Sequence, residues 1–384
     1  MLPDMLSNKN DTVKISVVTV CFNSATTLEK TIKSVINQSY TNIEYIIIDG
    51  GSTDGTLDII KKYEEYISYW VSEPDKGAYD AMNKGIAVAT GELVNCLNSD
   101  DWYFDGVLKR VADKYQETNG DFLYGDMCVV DGNGNELQVL GSANADFNKM
   151  LYETIIYHPC CFIKTSILKS RPLDIKYPIC ADEDLFIDLY HQQYKFVYLG
   201  EGGITRFRLG GRSTTSPIDC PKEVYKIGKK HLRYYKNQPQ YEIIKYNLRR
   251  VRMYAFLLET ENQIGDSYKQ KIKTELENNH VNKIIIFGAG KVGKILGKTL
   301  TELHFNFDII DNNSTIQGTD FFSKKVLSPI TIRPTAGTIV LVANSGDSST
   351  MLNQLVDMGF KKNIDAIDFT VWCMYLAYLK YSKN

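Results

Sequence analysis

Over the first hundred residues, short β-branched apolar runs alternate with amphipathic stretches, and two of the runs end in an acidic loop. Lys-Ile-Ser-Val-Val-Thr-Val-Cys at 14–21 reads as a buried strand. Phe22-Asn23-Ser24 then turns into a helix with Leu28, Ile32, Val35 and Ile36 on one face and Thr26 and Glu29 at capping-box spacing. Further strand-like runs lie at Ile43–Ile48, Tyr69–Ser72 and Glu92–Leu97, with helical stretches after Thr56 and over 77–88. That alternation predicts an α/β fold with a mostly parallel sheet and helices on both faces.

The pattern changes after residue 120. Leu123–Val130 and Glu136–Leu140 flank Asp131-Gly-Asn-Gly-Asn135, which has hairpin turn chemistry, so the sheet is expected to be mixed. A helix is expected over 182–193, a strand at Phe196–Leu199, and a flexible loop at Leu209–Ser216 that can close over a ligand. Residues 221–252 carry ten Lys or Arg against Glu223 and Glu242 and read as helix, break at Pro239, helix. A second αβ unit starts near Lys283. The expected division is 13–220, a basic helical connector over 221–281, and a smaller α/β domain over 282–384, which suits a length of 384 residues.

Composition excludes some classes. A net charge of -2 gives no global pull toward nucleic acid. The eight cysteines form no Cys-x-x-Cys pair, so zinc spacing is absent and reduced, mostly buried thiols are expected. The N-terminal residues lack the pattern of a signal peptide, and no apolar run approaches the ~18 residues that span a bilayer. The expected location is cytoplasmic, with peripheral contact at the inner face of an anionic membrane open to 221–252. For that segment a solvated spacer is an equal reading. Phe369–Tyr381 is aromatic and apolar but too short to span.

Three acidic segments carry chemistry: Asp49-Gly-Gly-Ser-Thr-Asp-Gly-Thr56, Asn98-Ser-Asp-Asp101 and Ala181-Asp-Glu-Asp184. In an open α/β sheet, ligands bind at the carboxyl ends of strands. Asp49 can accept hydrogen bonds there from a base or ribose. Asp100 and Asp101 suit Mg²⁺ or Mn²⁺, which bind one or two carboxylates together with phosphate oxygens. Each loop alone is also a good turn or helix cap; their order and strand-end placement set the combination apart.

With these motifs, residues 13 to about 216 resemble the inverting family 2 glycosyltransferases of the GT-A fold. The resemblance rests on Val17–Asn23, Ile47–Thr56, Glu73–Gly85, Ala89-Thr-Gly-Glu92 and Leu97–Trp102. It is nearest to bacterial enzymes of the colanic-acid, polysaccharide-building type. It implies transfer of a sugar from a nucleoside diphosphate donor, with a UDP-sugar expected, to a hydroxyl of a glycan or lipid-linked acceptor. It implies nucleoside contacts from Thr19, Asn23, Asp49 and Ser52, with Asp75 and Lys76 beside the pocket. Asn98 stands where the family often has Asp, leaving metal binding to Asp100 with Asp101 in support. Aligned on Asp-x-Asp-Leu, the catalytic base is Asp182, the favoured alignment; aligned on Glu183-Asp184, it is Asp184. His158 falls near the acceptor side, and one of Arg206, Arg208 and Arg212 can clamp the diphosphate.

The C-terminal segment reads strand, Gly288-x-Gly290-x-x-Gly293, helix, with Asp311 ending the next strand-like run. It resembles the small Rossmann-like domain that precedes the acyltransferase in some sugar acetyltransferases. Two other readings stay open: an NAD-dependent oxidoreductase built on this unit, and a non-catalytic nucleotide-sugar-binding subunit.

Overall fold

The computed structural model describes residues 13–211, 219–261, 270, 273–274, 276–278, 280–344, 348–361 and 366–368. The chain divides into two compact units, Met1–Thr215 and Ser216–Asn384.

In the first unit β1 (Ile15–Cys21), β2 (Ile43–Asp49), β3 (Tyr69–Ser72) and β4 (Leu93–Asn98) run parallel in the order β3-β2-β1-β4. The crossovers carry α1 (Leu28–Ile36), α2 (Thr56–Lys62) and α3 (Ala78–Val88). Every residue of β1 is buried, as expected of a central strand covered on both faces. Each fully buried Val or Ile there contributes about 1.5–3 kcal/mol relative to exposure. α3 sits unusually close to this strand: a Cβ at Gly85 would lie 2.3 Å from Val18 Cγ1.

Beyond β4 the sheet turns mixed. The elements are β5 (Trp102–Tyr103), α4 (Val107–Thr118), β6 (Phe122–Val130), β7 (Glu136–Leu140), β8 (Cys161–Lys164), α5 (Thr165–Ser170), α6 (Ala181–His191) and β9 (Phe196–Arg208). β8 lies antiparallel between β4 and β6, β9 pairs parallel with β6, β5 closes the order on β9, and β7 forms the expected hairpin with β6.

Two local expectations differ from the fold. β9 does not stop at Leu199. Gly200 and Gly202 have φ of +90° and +99°, which gives Gly-Glu-Gly-Gly the character of a turn. Pairing with β6 nevertheless resumes after a register shift, from Met127 opposite Thr205 to Val130 opposite Arg208. The capping box at Thr26 and Glu29 does not form either. Leu28 N–H bonds Ser24 O, and Glu29 instead takes Lys62 Nζ at 2.8 Å and the Tyr63 hydroxyl at 2.6 Å.

The second unit begins with α7 (Asp219–His231) and α8 (Tyr241–Glu261), packed on each other and separated by a segment containing Pro239. Its sheet comprises β10 (Lys283–Phe287), β11 (Phe307–Ile310), β12 (Asp320–Phe321), β13 (Lys324–Leu327), β14 (Thr338–Val342) and β15 (Ala366–Asp368), ordered β12-β13-β11-β10-β14-β15. All neighbours are parallel except β12 on β13. Ile284 and Ile286 enter one core and Ile285 and Phe287 the other, so the sheet is buried on both faces beside α9 (Lys291–Glu302) and α10 (Ser349–Asp357). Among the described residues no helix is long and apolar enough to cross a membrane. Phe369–Tyr381 lies outside the described residues.

Candidate active site

Because β1 to β4 are parallel, their carboxyl ends share one edge of the first unit, and the loops leaving them are stitched together there. Asp49, last residue of β2, is fully buried. Its Oδ2 accepts Gly51 N–H at 3.0 Å, Ser52 N–H at 2.8 Å and the Ser72 hydroxyl at 2.6 Å; Oδ1 accepts the Ser52 hydroxyl at 2.5 Å. Burial pushes this carboxyl up, but the bonds from Ser52 and Ser72 outweigh it and hold the group below the usual carboxylate range.

The Asp49–Thr56 loop then locks to the turn after β1. Asn23 N–H bonds Ser52 Oγ at 2.7 Å, Thr53 N–H bonds Asn23 Oδ1 at 3.0 Å, and Ser24 N–H bonds Thr56 Oγ1 at 2.7 Å. Asn23 has φ of +49°, a left-handed conformation that Asn tolerates well. Thr19 is buried in β1 beneath the Tyr45 hydroxyl, 3.2 Å away. Asp75 lies against Gly50, where a Cβ would come within 2.6 Å of Asp75 Oδ2, and Lys76 is exposed beside it.

At the end of β4 the two aspartates have different surroundings. Asp101 is fully buried; its Oδ1 accepts Arg208 N–H at 3.0 Å, its Oδ2 accepts Asn98 Nδ2 at 3.3 Å, and its carbonyl accepts the Thr31 hydroxyl at 2.7 Å. It ties the loop to β9 and α1. Asp100 is half-buried, and a Cβ at Gly211 would sit 3.6 Å from its Oδ2. Burial raises both carboxyls; Asp100's charge raises Asp101 further, while Arg208 and His158 partly offset the rise at Asp100.

Among the described residues no group of three or more His, Cys, Asp or Glu is placed to hold a metal ion. The desolvated Asp100 carboxylate is the group here that would suit a divalent cation, as a one-carboxylate site. Of the candidate arginines, Arg206 is committed to Glu136 at 2.9 Å and stacks on Phe104. Arg208 stands nearest Asp100 in charge, and Arg212 lies outside the described residues.

His158 opens a 3₁₀ turn, His158–Cys160, that is pinned from beneath. Asn95 of β4 donates to Pro159 O at 3.2 Å and Cys161 O at 2.7 Å, and the Thr205 hydroxyl donates to Pro159 O at 2.8 Å. This places His158 Nδ1 3.7 Å from Asp182 Oδ2, within electrostatic reach of Asp100 as well. Burial lowers the imidazole's pKa, and the two carboxylates recover part of it, so His158 is neutral at pH 7.

The acids Asp182, Glu183 and Asp184 occupy the first turn of α6, where the helix dipole favours them. Two residues apart on a helix, Asp182 and Asp184 point about 200° from each other. Asp182 is the one facing His158, and the Tyr79 hydroxyl donates to its Oδ1 at 2.6 Å. Asp184 is buried, with its charge felt by Lys176. Sequence reasoning assigned no role to Tyr79 or Asn95. A polar Asn inside an apolar strand is the one signal that marks the latter.

In the second unit Gly288 has φ of +116°, and a Cβ at Gly293 would lie 1.9 Å from Gly288 O, so the loop and α9 meet backbone to backbone. Gly290 precedes α9 with open space around it, and Asp311 Oδ2 accepts Ala289 N–H at 2.8 Å. Asp311 therefore holds the glycine loop.

Residues 16–170 match the family model described as Glycosyl transferase family 2. An uncharacterized glycosyltransferase of Mycobacterium tuberculosis is 35% identical over 181 residues, which span 45% of this chain and 67% of that protein. A PGL/p-HBAD biosynthesis glycosyltransferase of Mycobacterium bovis is 30% identical over 178 residues, 45% of this chain and 68% of its own length. Among solved structures, S. aureus TarS 1-349 in complex with UDP is similar at 17% identity and a TM-score of 0.47, covering 75% of this chain and 80% of its own.

Proposed function

The chain belongs to glycosyltransferase family 2, and on that premise we propose that its first unit is an inverting, metal-dependent enzyme using a UDP-linked sugar. The acceptor is a hydroxyl of a glycan or lipid-linked glycan, in surface-polysaccharide synthesis of the colanic-acid type. The observation that carries the reading is the grouping of Asp100, His158 and Asp182 at the carboxyl end of β4.

In this reading Asn23, Ser52, Asp75, Lys76 and Asn98 line the nucleotide edge, and Thr19 and Asp49 shape it from beneath. Both carboxylate oxygens of Asp49 already accept bonds, from Gly51, Ser52 and Ser72, so a base or ribose reaching it shares or displaces the Ser72 hydroxyl. Asp182 takes the proton of the acceptor hydroxyl as that oxygen attacks the anomeric carbon opposite the diphosphate. The new C–O bond forms while the bond to the diphosphate breaks, which inverts the configuration. Asp184 stands on the other side of α6 and has no part in this step. Asp100 would hold Mg²⁺ or Mn²⁺, which would supply positive charge against the departing diphosphate. Asp101, with both oxygens committed, shapes the loop.

The unit over 282–384 is taken as a Rossmann-like domain of the sugar-acetyltransferase type, with Gly288 and Gly290 open to a phosphate and Gly293 and Asp311 fixing the loop. The connector over 221–281 exposes Lys226, Lys229, Lys230, Arg233 and Lys236. Each contributes ~1 kcal/mol at an anionic membrane surface, which suits a cytoplasmic enzyme with a lipid-linked acceptor.

The test is a panel of UDP-glucose, UDP-N-acetylglucosamine and GDP-mannose, scored for metal-dependent release of nucleoside diphosphate. One donor is turned over in a metal-dependent way, and Asp100→Ala abolishes that turnover. Unchanged turnover with metal dependence intact in Asp100→Ala sinks the site assignment.

A further inference from the structure

Tyr79 takes no part in the chemistry described above, yet it touches the group on which that chemistry turns. We infer that Tyr79 is a positioning residue for Asp182, holding Oδ1 so that Oδ2 is the oxygen that receives the acceptor proton. The inference rests on Asp182 being the base.

Tyr79 lies in the first turn of α3 and is a buried residue, 8% exposed. Its one phenolic proton is shared between Asp182 Oδ1 at 2.6 Å and Ile179 O at 2.7 Å. The phenol thus clamps both the carboxylate and the turn that leads into α6. Bonds to an anionic acceptor are the stronger kind, so Oδ1 is the fixed oxygen. Oδ2 is 3.7 Å from His158 Nδ1, beyond hydrogen-bond length.

The position of Tyr79 relative to Asp182 is set twice over. Gly85 seats α3 directly on Val18 of β1. Asn83, one turn beyond Tyr79, exchanges two hydrogen bonds of 2.9 Å with Leu173, in the segment that runs to α6. The register of α3 against α6 therefore cannot drift without breaking one of these contacts.

The other groups around Asp182 do not replace the phenol. Cys96 comes from β4, Cys161 from β8, and Cys180 and Glu183 from the start of α6. Burial pushes the Cys96 thiol up to about 12 and raises Cys161 further, so both stay neutral. Glu183 accepts the Thr154 hydroxyl, and His158 is neutral. None of these described groups is a cation, and the Tyr79 O–H is the side-chain donor seen on the carboxylate.

Tyr79→Phe keeps the ring and removes only that donor. The full-length chain is assayed on the fastest donor of the three named above, with Mn²⁺ and with water as acceptor where none is supplied. The expected result is a kcat about tenfold lower, an unchanged KM for the donor, and an acidic limb of the kcat profile moved up by about one pH unit, the effect of one bond to a charged group. Tyr40→Phe also removes a buried phenol-to-carbonyl bond, of 2.6 Å to Val13 O, and leaves the profile unchanged. A Tyr79→Phe enzyme with the parent kcat and pH profile overturns the positioning role, provided Asp182→Asn is inactive. If Asp182→Asn is itself active, the assignment of the base falls, and the inference with it.

Discussion

Replacing Gly85 by alanine tests whether the close seating of α3 on β1 holds the site together. Two effects oppose each other. An alanine in a helix interior is favoured over glycine by about 1 kcal/mol, so an unconstrained Gly85→Ala would stabilise the protein. Here the new methyl would meet Val18 Cγ1 at 2.3 Å, Val18 Cγ2 at 3.2 Å and Ile48 Cγ1 at 3.3 Å. β1 is paired on both sides and fully buried, so it cannot retreat; α3 must lift by roughly 1 Å or more, the shortfall from a normal carbon contact. Overpacking of this kind costs up to about 3 kcal/mol, which leaves a net loss of about 2 kcal/mol. For a unit of this size that lowers the melting temperature by roughly 4–8 °C. Urea unfolding of the full-length chain, followed by tryptophan fluorescence, reads the loss. The pair Gly85→Ala with Val18→Ala recovers much of the added cost, because the second change removes the obstructing methyls. Since α3 also carries Tyr79, kcat falls in Gly85→Ala and returns in the pair. A Gly85→Ala protein more stable than the parent, with no coupling to Val18, would refute the close-packing account.

Two further predictions concern other parts of the molecule. Asp49 is ionised more readily in the folded chain than in the unfolded one, so its contribution is present above the unfolded pKa of about 3.9 and is lost as pH falls through the lower folded value. Asp49→Asn is therefore less stable than the parent at pH 7, and the gap narrows below about pH 4; a gap independent of pH in denaturant titrations contradicts this. In the second unit Gly293→Ala drives a methyl to 1.9 Å from Gly288 O. Backbone cannot swing aside as a side chain can, so the expected loss is at the upper end of overpacking, about 3 kcal/mol or more, in the unfolding of that unit. An unperturbed melt would mean that the loop and α9 are not packed this tightly.

Much of the fold was readable because the relevant signals are local. β1, β2 and most of β4 are buried and so appear as apolar runs, β3 is the half-exposed edge, and the alternation of these runs with helical spacing points to the parallel pairing that the fold has. The hairpin of β6 and β7 announced itself by its turn residues. β9 was cut short because its glycines mimic a turn, and only pairing with β6 carries the strand past them. Thr26 and Glu29 have capping-box spacing, but Lys62 and Tyr63 from α2 and the residue after it compete successfully for Glu29.

The sequence alone determined which chemistry was available: three acidic segments, their order, and the strand ends on which the first two sit. The family resemblance preferred Asp100 to Asp101 and Asp182 to Asp184, but nothing in the residue types supplied a physical difference within either pair. Asp100 and Asp101 are chemically identical, and it is the arrival of Arg208 from β9 on Asp101, and of Gly211 beside Asp100, that tells them apart. Asp182 and Asp184 are separated in the same way, by the arrival of Tyr79 and His158 from distant elements on one side of α6. The physical reason is that a side chain's type sets what it can donate, accept or ionise, whereas its burial and partners, which set what it does, come from residues far away in the chain.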